Sequence, residues 1–286
     1  MLRKFRNISL ASFLFVVLIT GLFLVVVGVA QESSRHQPAV VVTGGMLSTV
    51  SADAIYVFDL QSGMEIFTRN ENSIHPIASV TKLISAALFL EHATATDVAT
   101  ITWADIDTEG RSGRLKNGQQ YLNKELLFPA LLESSNDASV VMQRVSPVPL
   151  VDSMNTYARK HYLLDTHFTD ASGLDDGNVS TAYELGNLVA TLYTQYPHIF
   201  DITQLKTYLN HVNAWMNNNP FVHDEGYRGG KHGYTYAANR TTVAFFDETL
   251  QSGNIRTIGY VLLDSDGLQT DMELLRTYVQ NSVTYK

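Results

Sequence analysis

The sequence predicts an α+β protein, in which an antiparallel β-sheet flanked by helices is joined to a mostly helical subdomain. Strand-like runs rich in β-branched and aromatic residues lie towards both ends of the chain, at residues 54–68 and 241–263. Residues from about 94 to 201 are instead mostly helical or loop-like. A sheet assembled from such distant segments is typical of the α+β layout. One N-terminal transmembrane helix is predicted to precede it.

The composition limits the kinds of protein this chain can be. Its 286 residues are 45% hydrophobic and 17% charged, which describes a globular protein with a sizeable core. The net charge of −8 argues against nucleic acid as a partner. Because there are no cysteines, disulfides, thiolate metal sites and thiol nucleophiles are excluded. The nine histidines show no metal-binding spacing, so we expect neither a metal nor a cofactor.

The N-terminal segment is distinct from the rest of the chain. Residues 1–7 form a basic flank, and residues 8–30 form an uncharged apolar run of 23 residues. As a helix this run is about 34 Å long, enough to cross a bilayer core. A cleaved signal peptide is the alternative, but the run exceeds the usual signal core, so a retained anchor is favoured. Both interpretations leave the chain beyond the tether, residues 31–39, outside the cytoplasm.

The elements that follow are predicted from local patterns. Residues 39–43 suggest a strand, and Ala54–Asp59 and Met64–Thr68 form a hairpin around a Gly63 turn. Pro76 leads into a buried helix from about Ala78 to Glu91.

The later elements follow in the same way. Residues 124–132 and the valines after residue 139 indicate two helices, separated by a polar turn in which Asn136 or Asp137 is the expected cap. A capping box at Thr181–Glu184 opens a further helix. Strands at 241–246 and 255–263 and a helix at 272–279 complete the domain.

Ser79 and Lys82 are the first candidates for chemistry. They lie three residues apart at the start of a predicted helix, so their side chains share one face. A serine at the positive end of a helix, beside an amine, is a plausible activated nucleophile. Such pairs also occur by chance in most proteins, and this one alone does not identify an enzyme.

Two further motifs give the pair a context. The chain contains, in order, Ser79-Val80-Thr81-Lys82, Ser134-Ser135-Asn136 and Lys231-His232-Gly233. Together they resemble the motifs of penicillin-binding proteins and serine β-lactamases. The resemblance is greater to the low-molecular-weight D-alanyl-D-alanine carboxypeptidases, and it covers most of residues 54–263. It implies a β-lactamase/transpeptidase-like fold for a domain at residues 40–286, with its helical subdomain at about 94–201.

The resemblance also implies a role for each motif residue. The catalytic residues would be Ser79, Lys82, Ser134 and Asn136, and the substrate-binding residues would be Lys231, His232, Gly233 and Tyr234. Ser79 would form an acyl-enzyme, Ser134 would pass a proton to the leaving amine, and Asn136 would hold Lys82 and the substrate amide. The backbone N–H groups of Ser79 and Tyr234 would form the oxyanion hole.

A lysine base needs an unusual environment. At its ordinary pKa of about 10.4, Lys82 would be charged at neutral pH. Burial close to a second cation such as Lys231 would lower its pKa, and a value near 7 would cost about 4–5 kcal/mol.

The chain departs from the family pattern at several positions, among them the absence of an arginine often found after the last strand, between Asp264 and Glu273. His232 stands where the family has threonine or serine, whose hydroxyl helps to bind the substrate's terminal carboxylate. A histidine can donate a hydrogen bond in its place and introduce a pH dependence near its ordinary pKa of about 6.5, or its bulkier ring can crowd the pocket. Asn239 replaces a usual glycine.

The predicted function is therefore a serine D-alanyl-D-alanine carboxypeptidase that acts on peptidoglycan stem peptides, with β-lactams as covalent inhibitors. The alternatives are an inactive relative that binds cell-wall peptide and, less favoured, a β-lactamase. The predicted location is the bacterial cytoplasmic membrane, with a single span and the catalytic domain on the extracytoplasmic side.

Overall fold

The computed structural model describes residues 40–42, 47, 49–110 and 112–285. The predicted basic flank, membrane anchor and tether at residues 1–39 lie outside this range. Among the described residues, no helix combines the length and apolar character needed to cross a bilayer. Residues Val40–Tyr285 form one compact unit.

The chain alternates short strands and helices before three long strands. The strands are β1 (Val40–Val42), β2 (Ala54–Asp59), β3 (Glu65–Arg69), β4 (Ile74–Pro76), β5 (Val98–Thr100), β6 (Gln120–Leu122), β7 (Val179–Thr181), β8 (Thr207–Leu209), β9 (Ala214–Met216), β10 (Tyr227–Thr235), β11 (Asn239–Thr249), β12 (Ile255–Ser265) and β13 (Val283–Tyr285). The α-helices are α1 (Lys82–His92), α2 (Leu127–Leu132), α3 (Asn136–Val145), α4 (Leu150–Lys160), α5 (Ala182–Gln195), α6 (Pro197–Gln204) and α7 (Leu268–Ser282).

The central sheet joins the two ends of the domain. Its strands run antiparallel in the order β10-β11-β12-β2-β3, so residues more than 180 positions apart in sequence pair, as Ile258 does with Asp59. The predicted hairpin β2–β3 and the predicted strand before it are confirmed, the latter pairing with β13. The α+β prediction is therefore confirmed, because the sheet is antiparallel and its strands come from both sides of the helical stretch.

Each face of this sheet is covered by helices. Alternate side chains of β11 and β12 divide between two cores, with Val243 and Phe245 in the one that includes α1, α3 and α5. Ala244 and Phe246 lie in the other core, with Met272 and Leu275 of α7. This alternation follows from the two-residue period of a strand. In β10, whose pairing is regular from Gly230 to Thr235, the same alternation places successive residues on opposite faces.

One local prediction is confirmed and one is wrong. Pro76, the last residue of β4, leads into the helix as predicted, because the 3₁₀ turn Ala78–Thr81 begins two residues later and continues into α1. The cap of α3 is neither Asn136 nor Asp137: the side chain of Ser135 accepts a hydrogen bond from the backbone N–H of Ala138. Ser135 is therefore the N-cap of α3, and Asn136 is its first helical residue.

Candidate active site

Ser79 lies in a short 3₁₀ turn, Ala78–Thr81, that runs directly into α1. The residue before it, Ala78, adopts a left-handed backbone with φ of 46°, which is strained for a residue with a Cβ atom. Gly173 lies against this turn so closely that a Cβ atom there would lie 1.9 Å from the carbonyl oxygen of Ala78. Backbone strain of this kind is found where surrounding structure holds a functional group in place.

Lys82 brings together three separate segments of the chain. It is fully buried, and its Nζ lies 2.9 Å from Ser79 Oγ, 2.8 Å from Asn136 Oδ1 and 2.6 Å from the carbonyl oxygen of Ser172. The amide and carbonyl oxygens can only accept hydrogen bonds, whereas the hydroxyl can also donate. A neutral amine has two N–H donors and one lone pair. If its donors bond the two oxygens, the lone pair is left facing Ser79.

The protonation of Lys82 is set by its surroundings. Burial lowers its pKa from 10.5 to about 7, while the carboxylate of Asp170 acts in the opposite direction. The direction agrees with the sequence prediction, but burial is the main cause and the neighbouring Lys231 is not. A substantial fraction of Lys82 is therefore neutral near pH 7.

The second motif forms the loop that leads into α3. Asn136 donates its Nδ2 to the carbonyl oxygen of Glu109 at 2.9 Å, which fixes the amide so that Oδ1 faces Lys82. Ser134 is left-handed, with φ of 59°. Its hydroxyl makes no hydrogen bond to any described residue. Lys82 thus links Asn136 to Ser79, and Ser134 lies two residues before Asn136, in the loop that leads into α3.

The third motif lies on β10, which forms one edge of the sheet as far as it is described. The sequence predicts no strand here, because the segment is rich in glycine. Gly233 shows why glycine is needed: a Cβ atom there would lie 2.6 Å from the backbone nitrogen of Ser79 and 3.0 Å from Thr241 Oγ1. The absence of a side chain lets the strand approach the N–H group that would bind an oxyanion.

Lys231 shares a face with Gly233. It is fully buried, and its Nζ donates to the carbonyl oxygen of His232 at 2.7 Å. Burial lowers its pKa well below the ordinary value, and the charge on Lys82 lowers it further. Within the described part of the chain, Lys231 makes no hydrogen bond to Ser79, Lys82 or Asn136.

His232 and Tyr234 lie on the opposite face. Burial, followed by the charges of Lys231 and Lys82, lowers the pKa of His232 to about 3. The imidazole is therefore neutral throughout the physiological range, and the expected pH dependence near 6.5 is wrong. Its Nδ1 is buried and has no hydrogen-bond partner among the described residues. Asn239, at the turn into β11, has φ of 51°, a conformation that asparagine adopts more readily than most residues with a side chain.

A cavity of about 380 Å³ adjoins this strand. Its lining includes His232, Gly233, Tyr234, Arg240 and the first turn of α7. Arg240 donates to the carbonyl oxygen of Asp266 at 3.2 Å, and its guanidinium lies 5.8 Å from the ring centre of Tyr234. Two of its lining residues, Gly233 and Tyr234, belong to the strand segment that lies beside Ser79, so the cavity adjoins the candidate site.

In the loop at residues 170–178, the carbonyl oxygen of Ser172 contacts Lys82, a contribution that the sequence did not predict. A main-chain ligand leaves no side-chain motif to find. The clue in the sequence was Asp170-Ala-Ser172, because aspartate commonly accepts hydrogen bonds from the backbone two residues on. Among the described residues, no cluster of side chains suited to a metal ion is found.

This fold, with a partly exposed serine beside a buried lysine and facing the third motif, defines a serine-type peptidase of the penicillin-binding class. The chain belongs to the D-alanyl-D-alanine carboxypeptidase family, whose sequence profile matches residues 37–266.

Characterised relatives include both carboxypeptidases and endopeptidases. A D-alanyl-D-alanine carboxypeptidase of Mycobacterium tuberculosis is 30% identical over 201 residues, which are 65% of this chain and 67% of the relative. A D-alanyl-D-alanine endopeptidase of Pseudomonas aeruginosa is 27% identical over 252 residues, 81% of this chain and 78% of the relative.

Solved structures of this fold superpose along most of the chain. The crystal structure of a D-alanyl-D-alanine carboxypeptidase of Mycobacterium tuberculosis gives a TM-score of 0.74 at 25% identity, covering 85% of this chain and 95% of that one. Penicillin-binding protein D2 of Listeria monocytogenes, in its ampicillin-bound form, gives 0.71 at 22% identity, covering 82% and 98%. At that identity the second likeness concerns the fold alone.

Proposed function

We propose that this protein removes the terminal D-alanine from peptidoglycan stem peptides through an acyl-enzyme at Ser79. The observation that carries the proposal is the environment of Lys82 Nζ, which lies 2.9 Å from Ser79 Oγ and contacts two acceptor oxygens. With its pKa lowered to about 7, Lys82 is available as a base near neutral pH.

In acylation, Ser79 Oγ attacks the carbonyl carbon of the penultimate D-alanine, and its proton passes to Lys82. The resulting oxyanion is bound by the backbone N–H groups of Ser79 and Tyr234, and one such donor is worth about a hundredfold to a thousandfold in rate. The carbon–nitrogen bond then breaks as Ser134 passes its proton to the leaving amine of D-alanine and takes up the proton held by Lys82, which returns Lys82 to its neutral form. Water hydrolyses the ester and regenerates the Ser79 hydroxyl.

Substrate recognition is proposed to involve β10. The peptide would lie beside Lys231, His232, Gly233 and Tyr234, with the second side-chain N–H of Asn136 directed to its amide. Asn136 Nδ2 has two N–H donors and uses one on Glu109, so one remains for substrate. Because His232 is neutral, it would bind a carboxylate by hydrogen bonding and not by charge.

A second candidate function is endopeptidase cleavage of D-alanyl cross-links. The cavity beside Gly233 and Tyr234, about 380 Å³, could receive a leaving residue larger than D-alanine. The relatives from Pseudomonas aeruginosa and Escherichia coli are D-alanyl-D-alanine endopeptidases. A cross-linked muropeptide dimer and a free pentapeptide, compared under identical conditions, separate the two: release of monomers favours the endopeptidase, and release of D-alanine favours the carboxypeptidase.

We also propose that residues 8–30 anchor the protein in the bacterial cytoplasmic membrane, with the catalytic domain outside. The support is the length of the apolar run and the basic residues that precede it. Fractionation of cells expressing the chain with and without residues 1–30 tests the anchor. Loss of membrane association only in the shortened chain supports it, and a soluble full-length chain contradicts it.

The acyl-enzyme is tested by mass spectrometry after exposure to penicillin. We expect one covalent adduct on the wild-type chain and none on Ser79→Ala, together with D-alanine release from a pentapeptide by the wild type alone. Absence of both adduct and release would leave the alternative of a relative that binds cell-wall peptide without turnover. Rapid hydrolysis of a chromogenic cephalosporin would instead identify a β-lactamase.

A further inference from the structure

The carboxylate of Asp170 organises the loop that presents Ser172 to Lys82. It accepts hydrogen bonds from the backbone N–H and hydroxyl of Ser172, the latter at 2.8 Å, and from the backbone N–H of Gly173 at 2.6 Å. Its second oxygen accepts from the backbone N–H of Asp175 at 2.7 Å and from Asn178 Nδ2 at 3.1 Å. Five donors therefore converge on one side chain, more than a surface turn requires.

The consequence of this arrangement lies at the amine. The turn closed by Asp170 directs the carbonyl oxygen of Ser172 to within 2.6 Å of Lys82 Nζ. The next residue, Gly173, has φ of 77° and rests on the carbonyl of Ala78, immediately before the nucleophile. One carboxylate thus determines the position of a Lys82 ligand and of the surface that supports Ser79.

We propose that Asp170 is a positioning residue for acyl transfer: it holds the Ser172 carbonyl as a fixed acceptor, so that the lone pair of neutral Lys82 faces Ser79. The inference deepens the proposed function and rests on Lys82 acting as the base. If the carbonyl moves away, the amine loses one of its two acceptor-only partners, and its lone pair is no longer restricted to the hydroxyl. A misplacement of about 1 Å in such a site costs on the order of a hundredfold in rate.

Asp170 also acts through its charge. The titratable groups coupled to Lys82 are Asp170, which acts on Lys82, and Lys231 and His232, on which the charge of Lys82 acts. Asp170 is the anion among them, and it raises the pKa of Lys82 against the effect of burial. Removing its charge is therefore expected to lower the pKa of Lys82 and move the acidic limb of the rate profile to lower pH, even as the rate falls.

The test compares Asp170→Asn with Asp176→Asn. Asparagine keeps one acceptor oxygen but places an NH₂ group against two donors, whereas Asp176 is an exposed carboxylate of the same loop. Both variants lose one negative charge. We expect Asp170→Asn to acylate with penicillin about 10- to 100-fold more slowly at its pH optimum, with its acidic limb at lower pH, and Asp176→Asn to match the wild type.

The outcomes separate the positioning role from a structural one. If Asp170→Asn has a lower melting temperature and a smaller acylation amplitude, but the acidic limb of its pH–rate profile is unshifted, Asp170 serves folding only. Equal acylation rates for the two variants would also overturn the proposal. If Asp170→Asn does not fold, Ser172→Ala keeps the carbonyl and the charge while removing one donor. A fall of about fivefold then supports the proposal, and an unchanged rate contradicts it.

A second readout does not depend on catalysis. In protein labelled with ¹³C at the lysine side chains, NMR titration follows the Lys82 amine directly. A downward displacement of its pKa in Asp170→Asn but not in Asp176→Asn supports the proposal, and equal values contradict it. If the wild type forms no penicillin adduct, the proposed function fails, while this titration still decides the influence of Asp170.

Discussion

Replacing Lys82 with methionine should change how the stability of the protein depends on pH. The folded-state pKa of about 7, against 10.5 for an ordinary lysine, is a difference of about 3.5 pH units, or about 5 kcal/mol at 1.36 kcal/mol per unit. Between these two values the unfolded chain binds a proton that the folded protein does not. Stability contributed by this group therefore rises with pH, and its burial cost is greatest below pH 7.

The magnitude follows from the same two values. From pH 7 to pH 9 the wild type should gain about 2 kcal/mol in unfolding free energy relative to Lys82→Met. At a single pH the comparison is ambiguous, because methionine removes the buried amine but leaves the oxygens of Asn136 and Ser172 without their partner. That loss is independent of pH, so it cancels when the difference between the two proteins is followed across the range.

Urea unfolding of both proteins at pH 7, 8 and 9 provides the measurement. Lys231 is present in both and cancels to first order. A difference in unfolding free energy that stays constant over the range would mean that Lys82 is charged in the folded protein throughout. The assignment of Lys82 as a base at neutral pH would then be refuted.

Three further changes test other parts of the structure. Gly233→Ala should slow penicillin acylation by at least about a hundredfold while the protein still folds, because a Cβ atom would lie 2.6 Å from the Ser79 nitrogen. Stopped-flow measurement gives the acylation rate, and circular dichroism shows whether the variant folds. A wild-type acylation rate would contradict the prediction. His232→Thr should leave the acidic limb of the pH–rate profile in place, because burial holds the pKa of His232 at about 3; a limb that disappears from kcat/KM in the variant would show that this histidine titrates. Arg144→Met should destabilise the protein by about 1–3 kcal/mol near pH 7, since it leaves the buried carboxylate of Asp105 without its ion-pair partner. The pKa of Asp105 is lowered, so the difference should shrink as acid protonates that carboxylate, and a loss that is constant down to acid pH in urea titrations would disprove the pairing.

The elements best predicted from sequence are those with a strong local period. The hairpin of β2 and β3 and the strands β11 and β12 were identified from β-branched and aromatic runs. The segment of β10 was not, because a strand rich in glycine lacks that signal. Its glycines are needed because residues distant in sequence leave no room for a side chain, as the backbone nitrogen of Ser79 does beside Gly233.

The candidate site shows the same division. Ser79, Lys82 and Asn136 were named from their motifs, and the structure places Lys82 within hydrogen-bond distance of the other two. The state of His232 could not be predicted, since its pKa depends on burial and on two lysines that only the fold brings near. The contribution of Ser172 could not be predicted either, because it is made by a backbone atom.

That backbone ligand has a consequence for how the site can diverge over time. No codon change at position 172 can delete the carbonyl oxygen, so a contact to the amine survives any substitution that leaves the path of the chain intact. Selection on this contact falls instead on positions 170 and 173. The Asp170 side chain holds the turn, and Gly173 has no side chain that would collide with Ala78. A comparison of catalytic side chains would therefore overlook this part of the site. Restricted substitution at positions 170 and 173 would be the only sequence sign of it.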